Sequence, residues 1–206
     1  GAQSTDEDTP LTLTLSAEDI DGDDLSYGAV SGSPQNVSVS VSGDQLTLTP
    51  SLNFNGVVSI SVTVSDEELT DTHPFTITVT PVNDVPVLTS ISDQTTPEDT
   101  PFSMAILAED VDGDGLTFSA SSSDPSQVQT DITGSLLTLI PSSNFNGSVS
   151  LTVTVTDGFL SDSDIFILSV TPVNDAPVLT VTGDQFTPED TPLTLTLSGS
   201  DVDGDD

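Results

Sequence analysis

Apolar and polar residues alternate along most of the chain, most clearly over residues 148–155, which read SVSLTVTV. A period of two residues is typical of a strand with one face on a hydrophobic core. In the middle of the chain the alternation predicts strands at 87–91, 102–108, 116–119, 128–132, 136–139, 148–156 and 165–171. No window has the period of about 3.6 residues that indicates an amphipathic helix. The sequence therefore predicts an all-β protein.

Four motifs recur at one constant offset of 91 residues. PVND at 81–84 recurs at 172–175 (172 − 81 = 91), NFNG at 53–56 recurs at 144–147, and PEDTP at 97–101 recurs at 188–192. The aspartate turn at 108–114 obeys the same offset, so the copies are tandem domains. We predict repeat 1 over 1–84, repeat 2 over 85–175 and the start of repeat 3 over 176–206. Seven short strands in a copy predict a Greek-key β-sandwich of the immunoglobulin-like type.

The phase of the repeats leaves the first copy without an opening strand, because the counterpart of 86–91 would precede residue 1. We therefore expect a fragment of a longer array, with an unpaired sheet edge near 11–15 or 75–79. The strands expected at 178–181 and 193–197 could complete the first copy of another molecule. This predicts head-to-tail association into filaments, promoted by calcium.

The charge of the chain excludes several partners. It contains 34 acidic residues, no lysine or arginine and one histidine, which gives a formal net charge of −34. Nucleic acid and anionic membrane surfaces are excluded, since binding them needs cationic side chains. No apolar run is long enough to span a bilayer, and there is no basic leader, so we expect an internal fragment or a mature chain. Without cysteine no disulfide can form, and without lysine no isopeptide cross-link can form.

An aspartate turn with a glycine in it occurs three times and suggests a metal site. Its carboxylates belong to Asp19, Asp21 and Asp23, to Asp110, Asp112 and Asp114, and to Asp201, Asp203 and Asp205. At roughly 5 Å and an effective dielectric near 20, each pair of carboxylates repels by about 3 kcal/mol. The chain has no cationic side chain besides its histidine to relieve this, whereas Ca²⁺ accepts about 6–8 oxygen ligands.

A halophilic acidic surface and a turn that is simply hydrated stay open as alternative causes of the acidity. Only nine of the 34 acidic residues lie outside the repeated motifs, and this clustering favours metal sites.

The motifs together resemble those of cadherin repeats. Residues 108–113, AEDVDG, followed by LTF, are similar to the cadherin turn A-x-D-x-D-x-G, and NDVP at 83–86 and NDAP at 174–177 are similar to the linker D-x-N-D-N-A-P. DEE at 66–68 resembles D-R-E, and PED at 97–99 resembles P-E-N. The complete arrangement most closely resembles the tandem cadherin-like repeats of large bacterial calcium-dependent adhesins.

This resemblance implies calcium at each junction between repeats. For the first junction the implied ligands are Glu7, Asp66, Glu68, Asn83 and Asp84, with Asp110 and Asp112. For the second they are Glu98, Asp157, Asn174 and Asp175, with Asp201 and Asp203. Asp23, Asp114 and Asp205 lie outside the cadherin pattern and are further candidate ligands. Pro81 and Pro172 replace a linker aspartate and Asp157 is followed by Gly-Phe, so we expect one or two ions at a junction.

The sequence contains no catalytic constellation. His73 is the only histidine, and its counterpart 91 residues later is Asp164, so it is not part of the repeated pattern. We predict a non-enzymatic, calcium-rigidified spacer of an extracellular adhesin or matrix protein, acting in cell adhesion or biofilm, with other repeats and a cell-surface ligand as partners. A calcium-dependent polysaccharide-binding module is the alternative, although the absence of tryptophan weighs against it.

Overall fold

The computed structural model describes residues 1–204, which fold into strands and turns. This confirms the predicted all-β class of tandem, immunoglobulin- or cadherin-like sandwiches. The chain divides into two compact units, Gly1–Asp84 and Val85–Asp206. Nothing among the described residues forms a helix long and apolar enough to cross a membrane.

The first unit consists of two packed sheets. Its strands are β1 (Gln3–Asp6), β2 (Leu11–Thr14), β3 (Ser26–Ser31), β4 (Val37–Ser42), β5 (Gln45–Pro50), β6 (Gly56–Ser65) and β7 (Thr70–Thr80). One sheet has the order β1-β7-β6-β3 and the other β2-β5-β4, and only the β1–β7 pair is parallel. Inward-facing side chains of both sheets form the core: Val37, Leu46, Leu48, Val58, Ile60, Ile77 and Val79.

The second unit repeats this plan and adds short strands at both ends. Its strands are β8 (Val87–Leu88), β9 (Gln94–Pro97), β10 (Phe102–Ala105), β11 (Ala108–Glu109), β12 (Thr117–Ser122), β13 (Val128–Thr133), β14 (Leu136–Pro141), β15 (Gly147–Thr156), β16 (Ser161–Thr171), β17 (Val178–Thr180) and β18 (Ser198–Ser200). The sheets are β12-β15-β16-β9 and β10-β14-β13, with β8-β11 and β17-β18 as separate pairs. Its core cluster extends from Leu88 to Val170.

Three strand predictions are wrong, and one strand was not predicted. Residues 193–197 form no strand, since the strand in this part of the chain is β18 at Ser198–Ser200, and the strand expected over 87–91 ends at Leu88. The strand expected over 102–108 is two strands, because β10 pairs with β14 and the chain then leaves that sheet so that β11 can pair with β8. No apolar alternation indicated β9, a polar QTTP segment that pairs in parallel with β16.

The sheet-edge prediction for the first repeat needs a correction. Residues 77–80 are not an open edge, because β1 covers them in parallel register. β2 does lie at an edge of its sheet.

Candidate metal centre

Two buried glutamates begin the repeated Glu-Asp-Thr-Pro turns. Glu7 is 4% exposed and Glu98 is 3% exposed. In each repeat the carboxylate accepts a backbone N–H two residues after the last long strand: Val82 donates to Glu7 at 2.6 Å, and Val173 donates to Glu98 at 2.6 Å. A buried carboxylate is costly without such partners. The glutamates therefore fix where the linker leaves each sandwich, with one carboxylate oxygen each used for that purpose.

Asp175 lies where several negative charges converge within the second unit. Its backbone N–H donates to the Asp203 carboxylate at 2.6 Å. Its own Oδ2 is shielded from solvent and has no hydrogen-bond partner among the described residues. Burial raises the pKa of Asp175 above its ordinary value, and the negative charges of Asp203, Asp99, Glu98 and Asp201 raise it further. A cation at this position would relieve both effects, because it would coordinate the oxygen and neutralise the charges.

The aspartate turns have one geometry, in which the first carboxylate folds the turn. Asp19 Oδ1 accepts the N–H groups of Asp21, Gly22 and Asp23 at 2.8, 2.8 and 3.2 Å. Asp110 and Asp201 make the corresponding contacts: Asp112 donates to Asp110 at 3.0 Å, Asp114 donates to Asp110 at 3.2 Å, and Asp203 donates to Asp201 at 2.9 Å. The glycine adopts a positive φ of 84°, 78° and 78° in the three turns.

In the second copy the three carboxylates of the turn also lie close together. One carboxylate oxygen from each of Asp110, Asp112 and Asp114 lies within 4.8 Å of the others. Asp110 Oδ2 is shielded from solvent and makes no hydrogen bond among the described residues. Because the turn amides occupy only Oδ1, the second oxygen of Asp110 keeps its capacity to bind a cation.

The tips of the long hairpins hold Asp66 and Asp157. Asp66 Oδ1 accepts the N–H groups of Leu69 and Glu68 at 2.6 and 2.8 Å, which lowers the pKa of Asp66. Asp157 Oδ1 accepts those of Leu160 and Phe159 at 2.7 and 2.6 Å. Both aspartates thus stabilise a turn, whatever else they bind.

Of the ligands expected at the second junction, the structure brings Glu98, Asp175, Asp201 and Asp203 into one electrostatic neighbourhood. The side-chain amide of Asn174 donates a hydrogen bond to the backbone carbonyl of Asp175 at 2.9 Å. A ligand role for Asp157 stays a prediction, and Asp205 lies outside the described residues.

The ligands expected at the first junction belong to both units. Glu7, Asp66, Glu68, Asn83 and Asp84 lie in Gly1–Asp84, whereas Asp110 and Asp112 lie in Val85–Asp206. Asn83 donates to the carbonyl of Asp84 at 3.0 Å, as Asn174 does to that of Asp175. Their assembly into one site stays a prediction, as do ligand roles for Asp19, Asp21 and Asp23.

Sequence reasoning missed Asp99, whose charge acts on Asp175. Asp99 has a positive φ of 57°, and its Oδ1 accepts the N–H of Asn144 at 3.0 Å; Asp8 does the same for Asn53 at 2.8 Å. The sequence does contain an indication of this contact, because Glu-Asp and Asn-Phe-Asn-Gly recur together in both repeats.

One comparison identifies the family of this chain. The family model described as Bacterial Ig domain matches residues 1–80 and 83–168, one match in each sandwich. The chain belongs to the bacterial Ig domain family. No curated protein sequence matches it.

Among solved structures, this bacterial Ig protein is similar to human Protocadherin-24 EC1-2. The identity is 20% and the TM-score 0.55, over 84% of this chain and 95% of that one. The endo-fucoidan hydrolase MfFcnA4 from glycoside hydrolase family 107 matches at 23% identity with a TM-score of 0.35, and the matched region is 84% of this chain but only 27% of the enzyme. The cadherin likeness therefore holds for the fold, as the motifs predicted.

Proposed function

We propose that the acidic neighbourhood around Asp175 is a calcium site that fixes the second sandwich to the repeat that follows it. Its ligands are Glu98, Asp175, Asp201 and Asp203. The observation that supports this most directly is the solvent-shielded Oδ2 of Asp175, which has no hydrogen-bond partner among the described residues of a chain without lysine or arginine.

The donor set fits calcium better than a transition metal. Every candidate ligand offers oxygen, and Ca²⁺ takes oxygen ligands in flexible geometry. Zinc sites in proteins use cysteine or histidine, and this chain has no cysteine and a single histidine. When bound, the ion supplies positive charge and crosslinks groups that otherwise repel one another.

The same motifs occur at the first junction, so we propose a second site there with the ligands predicted from the sequence. Calcium at successive junctions would stiffen the tandem array. We infer that the chain is a spacer module of an extracellular adhesin or matrix protein, with a role in cell adhesion or biofilm. The bacterial Ig family and the cadherin-like fold support an adhesion-type module, because such domains are typically extracellular and non-enzymatic. Homotypic association into filaments belongs to the same proposal.

Isothermal titration with calcium tests the site, using Asp175→Asn and the matched control Asp131→Asn. Asn keeps the size of the side chain but removes the charge, and Asp131 is an exposed residue on β13 of the same sandwich. We expect Asp175→Asn to lose one binding event or to weaken it at least about tenfold, since one charged ligand contributes on the order of 1.4 kcal/mol or more. Asp131→Asn should bind as the parent does. Equal isotherms for Asp175→Asn and the parent would exclude the proposed site.

A further inference from the structure

The carboxylates of the calcium site proposed around Asp175 already accept hydrogen bonds from the backbone. Glu98 Oε1 accepts the N–H of Val173 at 2.6 Å. Asp201 Oδ1 accepts that of Asp203 at 2.9 Å, and Asp203 Oδ2 accepts that of Asp175 at 2.6 Å. If each of the four carboxylates gives one further oxygen, they supply fewer ligands than the roughly 6–8 oxygens that Ca²⁺ takes. The proposed site can therefore accommodate oxygen ligands besides these carboxylates.

Asn144 lies beside this site, in the Asn-Phe-Asn-Gly loop between β14 and β15. It borders the same pocket as Asp175 and Asp201. Its Oδ1 accepts a hydrogen bond from the Ser143 hydroxyl at 2.8 Å, and an amide oxygen has a second lone pair. Asparagine carbonyls are among the oxygen ligands that Ca²⁺ takes in proteins. Such a ligand is neutral, so it would add an oxygen without adding to the repulsion among the carboxylates.

Two contacts fix the loop at this position. Asp99 Oδ1 accepts the backbone N–H of Asn144 at 3.0 Å, and both residues are left-handed, with φ of 57° and 58°. Phe145 packs against the hydrophobic core, and its ring lies so close to Gly147 that a β-carbon there would be 3.2 Å from it. Because Asp99 directly follows Glu98, one turn contains a proposed ligand and the residue that holds Asn144 near the site.

We propose that the side-chain oxygen of Asn144 is a further ligand of this cation, and that Asp99 is its positioning residue. The inference rests on the calcium site proposed above and extends that site to the loop between β14 and β15. Asp99 acts through the hydrogen bond that its carboxylate makes to Asn144. Its negative charge is secondary, because Asp99 is exposed and the charge of an exposed side chain is screened by salt.

Asn144→Gly separates a ligand role from a structural one. The left-handed backbone alone is a reason for asparagine at this position, because asparagine tolerates a positive φ better than most residues. Glycine adopts a positive φ at no steric cost, so Asn144→Gly keeps the loop conformation and removes only the side-chain oxygen. Asn146→Gly is the matched control, since Asn146 is an exposed residue of the same loop.

Isothermal titration of the full chain with calcium measures the effect on affinity. We expect Asn144→Gly to weaken one binding event at least about fivefold, as the loss of one neutral polar contact would, and Asn146→Gly to bind as the parent does. A parent that binds calcium together with an Asn144→Gly variant of equal affinity would overturn the ligand assignment alone. A parent that binds no calcium would overturn the site itself, so the two failures are distinguishable.

Terbium luminescence gives a readout that a merely structural role would not change. Tb³⁺ takes oxygen ligands as Ca²⁺ does, and its lifetimes in H₂O and D₂O report the number of water molecules on the bound ion. We expect Asn144→Gly to gain about one bound water, because a water replaces the lost oxygen ligand. The control Asn146→Gly should match the parent. An unchanged water count in Asn144→Gly would show that Asn144 does not coordinate the ion.

Two substitutions of Asp99 test its positioning role in the same titration. Asp99→Asn keeps an acceptor oxygen and removes the charge, so it should bind calcium within about twofold of the parent. Asp99→Gly tolerates the left-handed φ but removes the acceptor, so it should weaken binding. Adding Asp99→Gly to Asn144→Gly should cost no further affinity, because the two residues act through one contact. Equal weakening by Asp99→Asn and Asp99→Gly would assign the effect to charge and overturn the positioning role.

Discussion

At the scale of single residues, the adjacent acids of the Glu-Asp-Thr-Pro turn have separate roles. The glutamate is buried against the linker backbone, and the aspartate beside it has a left-handed conformation and holds the Asn-Phe-Asn-Gly loop. Asp8 performs this second role in the first repeat, through the N–H of Asn53 at 2.8 Å. The motif is therefore partly a structural device, and its acidity alone does not establish metal binding.

Replacing Asp8 tests this structural role. Asp8→Ala removes the acceptor and places a β-carbon residue without a polar side chain at φ 58°, so we expect the first repeat to lose about 1–2 kcal/mol of unfolding free energy. Asp8→Asn should lose less, because asparagine keeps an acceptor oxygen and tolerates this conformation. Urea unfolding in chelator, followed by Tyr27 fluorescence, measures both. Equal stability of Asp8→Ala and the parent would mean that the loop does not depend on this contact.

At the scale of elements, carboxylates replace part of the strand ladder where the second repeat begins. Asp162 and Asp164, both on β16, accept the N–H groups of Leu88 at 2.9 Å and Ile91 at 2.6 Å. In return Asp93 accepts the N–H of Ile167 at 2.8 Å. This segment has only two residues in regular strand pairing, so these side chains fix it to the long hairpin.

We predict that Asp164→Ala loosens the opening segment and leaves the rest of the sandwich intact. Losing a charged acceptor worth about 1.5–3 kcal/mol should speed amide exchange at Ile91 by roughly tenfold or more. Exchange at core amides of β15 should not change. Hydrogen exchange read by NMR measures this, with Asp131→Ala as the control. If the Ile91 amide of Asp164→Ala exchanges at the rate seen in the parent, packing rather than this hydrogen bond protects it.

Sequence reasoning predicted the long strands well and these connections poorly. The alternating SVSLTVTV of β15 indicates both its type and its buried face, because one residue in two must enter the core. The QTTP of β9 has no such alternation, and its parallel partner is some 70 residues later. Asp162 and Asp164 are two of the nine acidic residues outside the repeated motifs, and nothing in the local sequence shows that their partners are amides on another segment.

The candidate site was predictable to a similar degree. The aspartate turns, the buried glutamates and the linker acids follow from short repeated motifs. The electrostatic effect of Asp99 on Asp175 could not be predicted from these motifs, because it depends on how the turn after β9 and the linker after β16 meet in space.

At the scale of the whole molecule, a net charge of −34 with no lysine or arginine makes stability depend on what neutralises it. A halophilic surface needs only screening, which molar monovalent salt provides, since the screening length falls to about 3 Å at 1 M. Calcium cages need a divalent ion at far lower concentration. A halophilic surface and a set of calcium cages therefore differ in the kind of salt that stabilises them rather than in the amount of charge.

We predict that millimolar calcium raises the melting temperature and compacts the array, and that sodium chloride of equal or tenfold higher ionic strength does not reproduce this. Each site at 100 times its Kd contributes about 2.7 kcal/mol, and the unfolded chain lacks the assembled ligands. Calorimetry and small-angle scattering in calcium, in chelator and in sodium chloride measure the two effects. Equal stabilisation by sodium chloride would favour the halophilic surface, whereas melting and scattering unaffected by chelator would leave the acidic turns as hydrated loops. A rise specific to calcium that disappears in Asp175→Asn would locate the effect at the end of the second sandwich.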